Sequence, residues 1–183
     1  MSSALRRPGV QSRTSDILGG DACRQLLEMA PNQHVTISVG SGLILGLLTR
    51  SWVAGISCCL VGILVDLDHF LDFWLNCGFS LDIRRFFEFN YCGTSRRFFD
   101  ILHGYEFIPL LWYLPSLAGW THAGLGLTLG YAIHLLSDQF FNNHLNRWTY
   151  FFTYRFYHGF DAGKIVVRRP FLARDLAKSR PEG

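Results

Sequence analysis

Fourteen residues without a charge, Trp52 to Val65, run straight into Asp66-Leu67-Asp68-His69. Carboxylates and an imidazole at the end of such a run are costly unless they find partners. The pattern recurs. His34 opens the apolar run Val35 to Leu48, His103 and Glu106 precede the run Phe107 to Trp120, and His134 and Asp138 close the run that starts at Ala123. Each is polar chemistry at the end of a greasy segment. If the segments pack together, their ends converge on one site.

Composition points to a membrane rather than to water. Hydrophobic residues make up 49% of the 183, with 16 Phe and 5 Trp, and only 17% are charged. The five cysteines are an odd number without CxxC spacing, and nothing in them suggests a disulfide framework. Each apolar run is shorter than the roughly 20 residues a bilayer needs, and extending it through its polar end restores the length. Placing four spans in order puts 16 of the 17 Lys and Arg on one side, leaving Arg50 opposite. The positive-inside rule makes that side the cytoplasm. The expected fold is therefore all-α, a four-helix transmembrane bundle with both termini cytoplasmic. An aromatic and basic segment between helices 2 and 3 is expected to lie along the membrane surface. A flexible basic segment (1–30), the bundle (31–145) and an aromatic, then basic, cytoplasmic tail (146–183) complete the organisation. The Gly42-xxx-Gly46 spacing offers one place where a second helix can approach closely.

This topology puts His34, Asp66, His69, His103, His134 and Asp138 at the cytoplasmic end of the bundle. They are the expected metal ligands. Imidazole and carboxylate without thiolate suit Zn, Mn, Fe or Mg, and the set is too large for one tetrahedral ion, so one or two ions are expected. Asp66 and His69 share a helical face and Asp68 does not, so all three reach one site only if the helix bends. Asp68 or Glu106 is the expected general base, and Arg96 and Arg97 are candidates to hold a phosphate. His122, His144 and His158 read as surface histidines, and the basic tail reads as a contact for anionic lipid rather than for nucleic acid.

The positions His34, Asp66-Leu-Asp68-His69, His103 and His134-xxx-Asp138 resemble the YdjM-like membrane-bound metal-dependent hydrolase family, described as LexA-binding, inner-membrane-associated hydrolases. The resemblance covers about residues 32 to 141. It implies a multi-pass protein of the bacterial inner membrane in which metal-activated water attacks an ester or phosphoester. The partners implied are membrane lipids and a small-molecule or lipid substrate. The alternative is a membrane scaffold in which the same polar groups form a structural metal site or a hydrogen-bonded network.

Overall fold

The computed structural model describes residues 31–91, 97–142 and 145–165. All regular secondary structure among them is helical, with isolated bridge residues at Arg97, paired with Asp161, and at Leu145. The chain order is α1 (Pro31–Thr49), α2 (Trp52–Leu64), a 3-10 turn (Val65–Leu67), α3 (Asp68–Cys77) and α4 (Ile83–Tyr91). A second 3-10 turn (Tyr105–Phe107) leads into α5 (Ile108–Leu117) and α6 (Thr121–Phe141). A third (Arg147–Tyr150) precedes the short helices α7 (Phe152–Tyr157) and α8 (Ala162–Ile165). The basic segment expected over 1–30 lies outside the described residues.

Local chemistry sets most of these boundaries. Pro31 begins α1, where its missing N–H would have no helical partner anyway. Ser51 caps α2 by accepting the Ala54 N–H. Pro109 stands in the first turn of α5, and Gly119, at φ +78°, makes the turn into α6 in a conformation that favours glycine.

Helix α2 is the centre, packed between α1 and α6, while α5 packs on α6. The contacts on both sides of α2 are backbone to backbone. A Cβ built on Gly42 would lie 2.7 Å from the Gly55 carbonyl oxygen, and one on Gly126 or Gly130 would run into the Ala54 or Cys58 carbonyl. The Gly42-xxx-Gly46 spacing thus serves to admit Gly55, and α6 carries a matching pair for the other side.

Two further parts of the chain complete the fold. The segment after α3 builds an aromatic pair of helices: Phe73, Phe86 and Phe89 are buried together, and Phe70 stacks on Phe86 at 4.0 Å. The exposed apolar residues there are Phe79, Leu81, Ile83 and Phe87. Residues 146–165, the aromatic part of the expected tail, pack against the bundle. Thr149, Tyr150, Arg155, Ala162 and Ile165 are buried, and Tyr150 joins the core of Val65, Tyr131 and Leu135. Ring contacts of Tyr150 and Phe151 with Tyr105, and of Phe152 with Phe107, dock this segment over the end of the bundle.

Trp52–Cys77 is a helical stretch of 26 residues that is long and apolar enough to cross a membrane, and the only such stretch among the described residues.

Candidate metal centre

The 3-10 turn at Val65–Leu67 supplies the bend that the opening motif requires. It shifts the register between α2 and α3, so that Asp66, Asp68 and His69 all face the same region. His34 comes from the first turn of α1, His134 and Asp138 from successive turns of α6, and His103 from the loop before α5. All six expected ligands are brought together there.

The distances are those of a donor cluster. His34 Nε2 lies 3.2 Å from Asp138 Oδ1, and His134 Nε2 lies 3.3 Å from Asp138 Oδ2. His103 Nε2 is 3.5 Å from Asp138 Oδ2 and 3.3 Å from His134 Nε2. Asp66 Oδ1 is 3.5 Å from His134 Nε2 and 3.9 Å from His69 Nε2. Three overlapping sets have donor atoms within 4.8 Å of one another: His34, His134 and Asp138; Asp66, His103 and His134; and Asp68, Asp100 and His103.

The outer nitrogens of three rings already have acceptors. His134 Nδ1 meets the Gly62 carbonyl at 2.9 Å, His103 Nδ1 meets Asp68 Oδ2 at 3.3 Å, and His69 Nδ1 meets Asp100 Oδ1 at 3.3 Å. An N–H on the outer nitrogen leaves the lone pair on Nε2 pointing inward, the arrangement that carboxylates and carbonyls impose on metal-ligating histidines. On the carboxylate side, Asp66 Oδ1 and Asp68 Oδ1 are buried and accept no hydrogen bond. Buried carboxylate oxygens without donors, facing bare imidazole nitrogens, fit a divalent cation. A cavity with room for about one water, about 20 Å³, lies against His69, Asp100, His103 and Asp138.

Access is one-sided. The side chains of Asp66 and His69 are 27% and 26% exposed, whereas those of His34, His103, His134 and Asp138 are at most 7% exposed. Anything arriving from outside meets Asp66 and His69 first.

Other expected site residues are placed differently. Asp68 is 1% exposed, and its Oδ2 accepts the Leu102 N–H at 2.6 Å besides meeting His103. Its position is that of an orienter of His103. Glu106 stands apart from the cluster: its carboxylate accepts the Phe152 and Thr153 N–H groups and the Thr153 hydroxyl, capping α7. Burial acts to raise the Glu106 carboxyl, and the hydrogen bonds from Thr153 and Phe152 outweigh it and hold the group below its ordinary value. The Arg97 backbone pairs with Asn76 and Asp161 at the edge of the loop, and Arg96 lies outside the described residues.

Two residues of the site were not anticipated. Asp100, 2% exposed, pairs with His69 from a left-handed turn at φ +32°. Burial alone would raise its carboxyl, but His69 first, and then His103 and Arg155, hold it well below the usual carboxylate range. Its signal was present in the sequence: Asp100-Ile-Leu-His103 repeats the Asp-x-x-His spacing of Asp66 to His69. Arg155, fully buried, donates from Nη1 to the His103 carbonyl at 2.8 Å and to the Thr149 carbonyl, and from Nη2 to the Asp100 carbonyl at 2.7 Å. It therefore clamps both ends of the loop that carries Asp100 and His103. Tyr131 adds a second clamp, its hydroxyl accepting the Gly104 N–H and facing the Leu102 and Gly104 carbonyls.

No protein-family model, curated protein or solved structure matches the chain.

Proposed function

We propose that the chain is an integral membrane hydrolase, dependent on one or two divalent metal ions, that cleaves an ester or phosphoester. The observation that carries this reading is the pairing of buried carboxylate oxygens without hydrogen bonds and imidazoles whose outer nitrogens are already engaged. His34, Asp66, His103, His134 and Asp138 would hold the metal. Oxygen and nitrogen donors without thiolate suit Zn, Mn, Fe or Mg. A bound divalent ion supplies an activated water at neutral pH.

The remaining roles belong to the chain itself. Asp68 and the Gly62 carbonyl fix the rings of His103 and His134. His69, backed by Asp100 and standing at the open edge, is placed to take a proton from the attacking water and return it to the leaving group. This proton shuttle is a revision of the general-base roles expected for Asp68 and Glu106. The spacing resemblance to YdjM-like hydrolases supports the same chemistry and an inner-membrane location.

Four spans with cytoplasmic ends remain our reading of the topology. Helices α1 and α6, of 19 and 21 residues, are about 28 and 31 Å long, close to the thickness of a hydrocarbon core of about 30 Å. Leu43, Leu47, Val53, Ile56, Leu110 and Leu117 are exposed around the bundle. Trp52 and Trp120, 68% and 69% exposed, flank the turns at the end away from the metal centre, where interfacial tryptophans belong. Helix α5, with only 10 residues, is about 15 Å long and stops short of the depth of the centre.

Metal analysis of the full chain purified in detergent, with turnover over a panel of esters and phosphoesters, tests the reading. Bound metal with turnover that falls when His69 becomes Asn is expected. Bound metal with no turnover on any substrate would favour the scaffold.

A further inference from the structure

A second cavity, of about 520 Å³, runs between α2 and α5 with α6 as its floor. Its volume falls within the range of small-molecule sites. Leu60 and Leu64 form one wall, Leu111 and Leu114 the other, and Leu127 and Tyr131 lie between them. Along its length the cavity opens sideways, beside exposed Leu110, Leu114 and Leu64. Its head end closes on Val65, Leu102 and Tyr131. Each of these is a near neighbour in sequence of a donor: Asp66, His103 and His134. A polar, metal-binding pole thus caps an apolar slot.

Depth supports the same arrangement. His34, Asp66 and His134 all stand about 14 residues, roughly 21 Å at 1.5 Å per residue, from the far ends of their helices. Against a core of about 30 Å, that leaves the centre inside the near leaflet, about 9 Å below where lipid chains join their headgroups. The exposed apolar side chains surround the bundle instead of forming one bounded patch, which matches a solvent of chains better than one protein partner.

We propose that the slot between α2 and α5 holds one acyl chain of a membrane lipid whose ester or phosphate end reaches the metal centre past Leu64 and Leu102. The substrate class would then be an amphiphile taken laterally from the bilayer. This rests on the hydrolase reading for its chemistry, but the binding can be tested separately. The full chain is reconstituted in phosphatidylglycerol and phosphatidylethanolamine vesicles containing a phospholipid with a diazirine in one acyl chain. It is then irradiated and its labelled peptides are mapped.

Labelling should concentrate several-fold on Leu60, Leu64, Leu111 and Leu114 over the equally lipid-facing Leu43 and Leu47 of α1. Leu60→Trp with Leu114→Trp, which fills the slot away from the donors, should abolish that excess while metal content is retained. Even labelling of both faces would overturn the proposal, as would cross-links showing a second copy seated in the slot. Turnover of a short-chain, water-soluble ester on the same preparations separates the two readings. Labelling without any hydrolysis would sink the hydrolase and leave the chain site standing; hydrolysis with even labelling would do the reverse.

Discussion

Replacing Arg155 by Met tests how the centre is assembled. The thioether fills much of the volume of the arginine stem but donates nothing, so the carbonyls of Asp100, His103 and Thr149 lose their guanidinium partner in a dry interior. One buried carbonyl without a partner costs about 1 to 3 kcal/mol, and removing one side of a buried charged network about 3 to 5. Three carbonyls that share one cation are not additive, and the burial cost of the guanidinium is recovered, so we expect a loss of about 4 kcal/mol. That is a large part of the 5 to 15 kcal/mol that holds a typical domain together. The loop between the clamped carbonyls carries His103 and Asp100, so metal affinity should fall together with stability, by about 10- to 100-fold. Thermal unfolding in detergent and competition with a chelator measure the two quantities. Arg155→Lys, which offers a single ammonium, should restore part of the stability and less of the affinity, because it cannot bridge both ends of the loop. A Met variant that binds metal as the parent does would refute the clamp.

Asp138→Asn removes the charge that faces His34, His103 and His134, and bound metal measured by elemental analysis should drop to near background. His69→Asn should keep the metal while turnover falls about a hundredfold or more; loss of the metal instead would return His69 to the ligands. Gly55→Leu should prevent α1 from closing on α2, seen as loss of the folded species on size exclusion, whereas the same change at Gly40, with open space around it, should be tolerated. The Glu106 cap should contribute stability above the ordinary carboxylate range and lose it as pH falls through the lowered folded value, because protonation removes the acceptor for Thr153 and Phe152. Melting in Glu106→Gln should accordingly lack that acid dependence.

What the sequence disclosed depended on contrast. His34, Asp66, His69, His103, His134 and Asp138 stand at the margins of apolar runs, where a polar residue is conspicuous, and all six meet in the cluster. Asp100 sits among Arg, Phe and other charges, where one more carboxylate carries no contrast, and only its spacing to His103 sets it apart. Arg155 looked like one more basic residue near the end of the chain. Its burial depends on Tyr150, Thr149 and the loop carbonyls around it, a tertiary fact with no local period. Glu106 misled for the opposite reason. It is three residues from His103 and would share its face in a continuous helix, but the chain there is an extended residue, Gly104, followed by a 3-10 turn, and the carboxylate points to α7 instead. The bend at Val65–Leu67 was required by the motif yet not visible in it.

The donors are spread from residue 34 to residue 138, and the clamp arrives only at 155. A ribosome adding about 5 to 20 residues per second separates the first ligand from the last by on the order of ten seconds. On the proposed reading, insertion and metallation would therefore be distinct events in the life of this protein. During the interval, the carboxylates and imidazoles that the proposal assigns to one cation would wait at the membrane with only water and protons for company. A chain halted before Arg155 would already carry every ligand and still lack the element that holds two of the site's side chains in register. Newly inserted molecules should thus exist in an unmetallated form, recognisable in pulse-chase experiments by greater sensitivity to protease near residues 100–103.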